Sequence, residues 1–203
     1  MTEYLPGFAP SPPRTHDADG DRWFTPPRVL AAVTSVLGAG WFDPCGDPAS
    51  PAAALCAPAS FDARRGEDGA ELPWPAGHPV YANPPFSEAS RWIRRCSTHR
   101  GPVIGLFPCR MEGAAWHDHV WGVATVVLPR GRLRFVGTDG RTHGCAMIGT
   151  AFVCWGEVDV ELFSLRLRQG GLDNVVLRAM SPLASARVPA RPRNEREPSS
   201  SSR

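Results

Sequence analysis

The chain lacks lysine, and all 22 of its basic residues are arginine. It also lacks any run of 18 apolar residues, and its first residues form no signal-type apolar stretch. These absences predict a cytoplasmic protein without a membrane segment. The formal net charge is only +2, so any affinity for nucleic acid must come from a local cluster of arginines rather than from the whole surface.

Paired cysteines are also missing. The six cysteines include no C-x-x-C pair, so a zinc site would have to gather ligands from distant parts of the chain, with His117 or His119 as candidates. Cysteine more often serves as a small apolar residue of a core. We therefore predict no metal site, and no cysteine stands out as a nucleophile.

The composition divides the chain into three parts. Residues 1–20 are rich in Pro, Asp and Gly and predict an extended or disordered arm, whereas residues 181–203 form an Arg/Pro/Ser-rich tail that we expect to be disordered. Residues 21–180 remain between them. That length suits a single domain with a hydrophobic core.

Hydrophobic periodicity predicts an α/β fold. Thr25 is a suitable N-cap for a helix that has Pro26 at its first position and ends at Gly38, and Ser87 is a suitable cap for a second helix. A third helix is expected at 111–121, and strands are expected at 40–42, 79–82, 102–107, 123–128, 133–136 and 146–155. This alternation predicts a mostly parallel central sheet with helices on both faces and an antiparallel C-terminal edge.

The sequence Asn83-Pro84-Pro85-Phe86 directly follows one predicted strand. The asparagine offers a side-chain carbonyl, the prolines have no N–H to donate, and the phenylalanine supplies a flat ring. Two acceptors beside an aromatic face suit a planar amine on a stacked base. The alternative is a proline-rich loop with a core phenylalanine, in a chain that holds 22 prolines.

A second predicted strand ends at Asp43-Pro44. Ligands of open α/β sheets bind beyond the carboxyl ends of the strands, so Asp43 and Asn83 share one cleft if their strands are neighbours. A carboxylate there can bind an ammonium group or a ribose hydroxyl, and S-adenosylmethionine carries both. The alternative is an aspartate that only starts a turn before proline.

Several segments together resemble the phage-type DNA adenine-N6 methyltransferases over about 21–156. They are W-F-T-P-P at 23–27, F-D-P-C-G-D-P-A-S at 42–50, E-D-G-A-E-L-P-W at 67–74, N-P-P-F at 83–86, W-H-D-H-V-W at 116–121, R-G-R-L-R-F at 130–135 and A-F-V-C-W-G at 151–156. The resemblance implies a Rossmann-like class I methyltransferase fold. It also implies transfer of a methyl group from S-adenosylmethionine to the N6 amino group of an adenine flipped out of duplex DNA, by a phage- or prophage-borne enzyme of the restriction-modification kind.

The resemblance further implies roles for individual residues. The catalytic residues would be Asn83, Pro84, Pro85 and Phe86, with the Asn83 Oδ1 and the Pro84 carbonyl accepting the two amine hydrogens and Phe86 stacking on the base. The cofactor would be bound by Thr25 and Pro26 near its carboxylate, by Asp43 and Pro44 in place of the usual glycine-rich loop, and by Asp68 at its ribose or adenine. The chain departs from the family pattern in lacking a G-x-G after the first strand, and in having Phe86 where many relatives have tyrosine.

Contacts to DNA are expected from arginines. Arg130, Arg132 and Arg134 alternate through a strand-like run and would share one face, and Arg110 is a further candidate. The alternative is a solvated edge strand that its charges keep from aggregating.

No obligate protein partner is evident from the sequence. Two other functions stay open: methylation of a different planar amine (cytosine N4, an RNA base or glutamine), and a catalytically silent module that binds DNA or cofactor.

Overall fold

The computed structural model describes residues 23–57, 67–137, 139–145 and 148–178. The expected arm at 1–20 and tail at 181–203 lie outside these residues. The helices are α1 (Pro27–Leu37), α2 (Ala89–Ser97), α3 (Ala114–His119) and α4 (Val160–Gln169). The strands are β1 (Val80–Ala82), β2 (Val103–Pro108), β3 (Thr125–Pro129), β4 (Arg134–Val136), β5 (Thr142–Cys145), β6 (Thr150–Trp155) and β7 (Asn174–Leu177). None of the described helices is long and apolar enough to cross a membrane.

Five of the strands form one mixed sheet in the order β1-β2-β6-β3-β7. The pairing of β1 with β2 is parallel, whereas β2 with β6, β6 with β3 and β3 with β7 are antiparallel. Beyond β1, Phe42 adds a single parallel bridge to Val80. An α/β fold is confirmed, but the predicted mostly parallel sheet is wrong for the described residues.

The difference arises because β6 inserts between β2 and β3 and runs opposite to both. The strands β1, β2 and β3 consequently point the same way, and β6 and β7 point back. Every residue of β1, β2 and β6 is buried. A strand that is apolar on both faces has the same pattern whichever way it runs, so its direction could not be inferred from periodicity.

Two hydrophobic cores lie on opposite faces of the sheet, as the predicted helix layers require. On one face α1 and α4 pack together, and on the other α2 packs against α3. Alternate residues of β1 divide between the cores: Tyr81 belongs to the first, and Val80 and Ala82 to the second. Side chains of β1 therefore pack into the cores on both faces of the sheet, which fixes the position of the strand end before Asn83.

Two predicted helix starts are wrong. The helix α1 has Pro27 at its first position and Pro26 as its N-cap, because Thr25 uses its hydroxyl on Tyr81 instead. The helix α2 begins only at Ala89, because the chain after the prolines first makes a short 3₁₀ turn, Phe86–Glu88. Gly38 does end α1, with φ of 81°.

The strands β4 and β5 form a separate two-stranded hairpin. The segment before α1 joins it, because Phe24 and Val136 exchange both backbone hydrogen bonds, at 2.9 and 3.0 Å. Leu133 and Phe135 are buried in the same core as α1. The hairpin therefore holds the segment around Phe24 by backbone hydrogen bonds, while its own side chains pack into the core that also contains Tyr81 of β1.

Candidate active site

Asp43 and Asn83 leave the sheet at the same edge. The Phe42 amide donates to the Pro79 carbonyl at 2.8 Å, and the Tyr81 amide donates to the Phe42 carbonyl at 3.1 Å. The predicted strand at 40–42 is reduced to a single bridge at Phe42, but that bridge is parallel to β1 and meets the condition under which Asp43 and Asn83 share one cleft.

The Asp43 carboxyl is buried, with only 6% of the residue exposed. Its Oδ1 accepts the Cys45 amide at 2.9 Å. Burial raises the pKa of Asp43 to about 7; the Cys45 hydrogen bond opposes this, and the Asp47 charge adds to it. A carboxyl that titrates near neutrality at a strand end is a typical functional-site candidate.

Cys45 adjoins both strand ends and is partly buried. Burial, with the Asp43 charge second, raises the pKa of its thiol well above the ordinary value, although an Asn83 N–H opposes the rise. The thiol therefore stays protonated and is a poor nucleophile. Cys45 thus lies beside both Asp43 and the Asn83 backbone.

The Asn83 side chain is held in one orientation. Its Nδ2 donates to the Trp23 carbonyl oxygen at 2.7 Å. A carbonyl oxygen can only accept, so the amide nitrogen faces Trp23 and Oδ1, on the opposite branch of the planar amide, points away from it. The next residue, Pro84, is buried, and the Pro85 carbonyl accepts the Glu88 amide at 3.0 Å.

Phe86 is half-buried and packs edge-on against Phe135 of β4, with ring centroids 5.9 Å apart and an interplanar angle of 81°. The buried Phe135 therefore fixes one side of the Phe86 ring. Stacking of a base on Phe86 stays a prediction.

The segment before α1 lies against these residues. The Thr25 hydroxyl is 2.7 Å from the Tyr81 hydroxyl, and both side chains are buried. Burial is the main cause of the raised pKa of Tyr81, so its hydroxyl stays protonated. Pro26 is buried, and its carbonyl accepts the amides of Val29 and Leu30. Cofactor contacts from Thr25 and Pro26 stay a prediction.

Asp68 is fixed to the outside of α2. Its carboxylate forms an ion pair with Arg91, which also contacts Glu71 and Glu88 at 3.3 and 3.1 Å. The hydrogen bond from Arg91 lowers the pKa of Asp68. Trp74 pins the same segment through a 2.6 Å bond from its Nε1 to the Gly69 carbonyl. Asp68 is exposed, and its contact with a cofactor also stays a prediction.

The four arginines predicted to touch DNA are all exposed, but they do not lie on one strand. Arg110 follows β2, which runs parallel to β1, so it leaves the same edge of the sheet as Asn83. Arg130 lies in a turn with Gly131, whose φ is 83°. The predicted strand-like run across all three of Arg130, Arg132 and Arg134 is therefore wrong at its first member.

Alternation does hold from Arg132 onward. Arg132 and Arg134 are exposed, and they flank Leu133, which is buried with Phe135 beneath the hairpin. Residues 132–135 thus expose two arginine side chains to solvent and pack the buried Phe135 ring against Phe86.

Within the described ranges, no three His, Cys, Asp or Glu side chains gather as metal ligands. The ring of His119 instead contacts Ser97, with Nδ1 3.2 Å from the hydroxyl.

A comparison with protein-family models decides what this site belongs to. The model described as DNA N-6-adenine-methyltransferase (Dam) matches residues 13–158, more than two thirds of the chain. The chain belongs to this family. The Dam-family match spans Asp43, the Asn83–Phe86 turn and all four arginines, and it makes the protein a DNA adenine-N6 methyltransferase with DNA as its substrate. No curated protein matches the chain significantly.

Sequence reasoning missed several parts of this Dam-family site. The Trp23 carbonyl, the Tyr81 hydroxyl and the Phe135 ring all contact predicted site residues. Trp23 and Phe135 do lie within the quoted segments W-F-T-P-P and R-G-R-L-R-F. Tyr81 offered a weaker signal, as the one side-chain hydroxyl in an otherwise apolar strand.

Proposed function

We propose that this Dam-family enzyme moves a methyl group from S-adenosylmethionine to the N6 amino group of an adenine flipped out of duplex DNA. One observation carries the proposal: an asparagine amide with fixed orientation adjoins a buried carboxyl at the same sheet edge. The two groups match the two needs of the reaction, an acceptor for the amine and a counter-charge for a cationic donor.

The chemistry of the residues fits this cofactor. Asp43 is a buried carboxyl that ionises near neutrality, and an ammonium group beside it would favour its charged form. Pro44, also buried, follows it in the chain. Thr25, Pro26 and Asp68 complete the proposed cofactor set. When bound, S-adenosylmethionine supplies an electrophilic methyl carbon on a sulfonium.

The protein's own contribution is to orient the amine and concentrate its lone pair. Adenine N6 is a weak nucleophile because its lone pair is delocalised into the ring. The Asn83 Oδ1 and the Pro84 carbonyl accept its two N–H groups, which favours a tetrahedral nitrogen, and Phe86 holds the base by stacking. The methylated nitrogen, which then carries a positive charge, releases one of those hydrogens as a proton to solvent, because neither carbonyl oxygen is basic enough to keep it. Positioning and fixed dipoles supply most of the rate.

Access to the amine requires that the base leave the duplex, because N6 is paired inside the stack. Arg110, Arg130, Arg132 and Arg134 are proposed to contact phosphates, since each is exposed and the net charge offers no wider positive field. A phage or prophage origin and a part in restriction-modification stay predictions.

The test is to identify the methylated unit. The full chain is incubated with methyl-labelled S-adenosylmethionine and, separately, with unmethylated DNA, RNA or protein, and each product is digested. We expect N6-methyladenine from DNA. Label in cytosine or glutamine would identify a different amine, and cofactor binding without transfer would identify a silent module; either result contradicts the proposal.

A further inference from the structure

The hydrogen bond between the Asn83 Nδ2 and the Trp23 carbonyl joins residues 60 positions apart in sequence. Asn83 is only half-buried and Trp23 is exposed, so the bond is not needed to satisfy a buried polar atom. Its effect is to fix the orientation of the Asn83 amide. The carbonyl takes the nitrogen, so the oxygen of the same amide is turned away from Trp23.

The Trp23 carbonyl is itself held firmly. The next residue, Phe24, exchanges two backbone hydrogen bonds with Val136 of β4. The residue after that, Thr25, is anchored by its 2.7 Å contact with the Tyr81 hydroxyl. Tyr81 belongs to β1, two residues before Asn83. The carbonyl and the amide are therefore fixed to the same strand and cannot drift apart easily.

We propose that the Trp23 carbonyl is the positioning group that sets the orientation of the Asn83 amide and selects asparagine over aspartate at this position. The inference rests on the proposed function, in which the Asn83 Oδ1 accepts an amine hydrogen. With an aspartate carboxylate at position 83, a carboxylate oxygen would face the Trp23 carbonyl oxygen at the 2.7 Å contact, and the two acceptors would repel each other. Only a protonated carboxyl can donate to Trp23 and still offer a carbonyl to the amine.

This discrimination is linked to pH. Cys45 contacts the Asn83 backbone N–H, and the groups that act on this thiol are Asp43, Cys96 and Glu88. Tyr81 precedes Asn83 by two residues in β1, and Arg134 is the exposed charge of β4. The Asp43 carboxylate and the Trp23 carbonyl both raise the pKa of a carboxyl introduced by Asn83→Asp. The activity of the variant relative to wild type should therefore be highest in acid.

The first test measures single-turnover methyl transfer by wild type and Asn83→Asp from pH 5.5 to 9. Taking the ratio of the two rates cancels titrations that both proteins share. We expect the ratio to fall about tenfold per pH unit above the variant carboxyl's pKa. A ratio that is independent of pH, or equal activity at pH 9, would overturn the inference. An inactive wild type would instead refute the proposed function.

A second test does not depend on activity. The chain contains only three asparagines, Asn83, Asn174 and Asn194, so selective ¹⁵N labelling yields three side-chain NH2 pairs. The pair that disappears in Asn83→Asp belongs to Asn83. We expect one of its two protons to be shifted downfield of the other, and this difference to shrink in Thr25→Val. A wild-type pair with the chemical shifts of an amide bonded only to water would contradict the inference even if the enzyme is active.

Discussion

Neutralising Asp43 should stabilise the protein without its cofactor and weaken binding of the cofactor. The carboxyl is buried, and its pKa rises from 3.8 to about 7. Because the folded state holds this proton more tightly than the unfolded chain, the stability from the neutral carboxyl is present below pH 3.8 and is lost as the pH rises through 7. Each pKa unit corresponds to about 1.4 kcal/mol, so the loss by pH 8 amounts to roughly 4 kcal/mol.

The substitution Asp43→Asn removes this penalty and keeps an oxygen that can accept the Cys45 amide. We expect the free energy of unfolding, measured with urea, to rise by up to about 4 kcal/mol at pH 8 and to change little near pH 4. Asp139→Asn is the matched control, because exposed Asp139 accepts the Arg141 amide in the same two-residue turn geometry. That control separates the effect of burying a carboxyl from the effect of replacing an aspartate in this turn geometry.

The affinity for S-adenosylmethionine should fall in Asp43→Asn, although the stability of the free protein rises. If an ionised Asp43 faces the ammonium of S-adenosylmethionine, the neutral variant binds it less tightly, visible as a smaller ligand-induced rise in melting temperature. If the wild type and Asp43→Asn lose stability in parallel between pH 4 and 8, burial of the Asp43 carboxyl does not raise its pKa in the folded protein.

Other predictions follow from the same contacts. Affinity for S-adenosylmethionine, measured by calorimetry, should weaken as the pH falls below 7, where Asp43 takes up a proton, and a flat profile would remove Asp43 from the cofactor site. Tyr81→Phe and Thr25→Val should each cost about 1–3 kcal/mol of unfolding free energy because each strands a buried hydroxyl, whereas the double variant should be close to wild type. Purely additive costs would rule out the hydroxyl pair. Arg132→Ala and Arg134→Ala should weaken DNA binding for all sequences alike, each lowering the slope of log affinity against log salt by about 1, and unchanged slopes would exclude phosphate contact.

Local patterns in the sequence predicted the parts of the site that depend on neighbouring strand ends. The apolar runs before Asp43 and Asn83 indicated two strands; the second forms as β1 and the first only as a bridge at Phe42, whose parallel pairing with Val80 still brings Asp43 and Asn83 to one edge. What could not be predicted depends on partners distant in sequence. Thr25 has the chemistry of a helix cap, yet Tyr81 takes its hydroxyl. The direction of β6 is likewise decided by its neighbours β2 and β3, not by its own residues.

The C-terminal elements show a different kind of limit. No helix was predicted at α4, although Asp159 caps it through the Leu162 amide at 2.9 Å, and Phe163 and Leu167 are buried one turn apart. Arginines and an exposed Leu165 interrupt that stripe, which weakens its periodicity. The final strand, β7, alternates between half-buried and exposed residues. Such an edge strand is stabilised chiefly by pairing with β3, a contact that local sequence does not reveal.

The Asn83 amide is proposed to accept a hydrogen of the adenine amine, and its removal should stop the reaction without removing the cofactor. Methyl transfer to adenine in DNA is followed at saturating S-adenosylmethionine for wild type, Asn83→Ala and the control Asn174→Ala, whose amide is bonded to Ser164 and Leu172 far along the chain. We expect Asn83→Ala to lose transfer while its affinity for S-adenosylmethionine is largely kept, and Asn174→Ala to stay active wherever it is folded. Transfer at the wild-type rate by Asn83→Ala would show that this amide does not accept the amine.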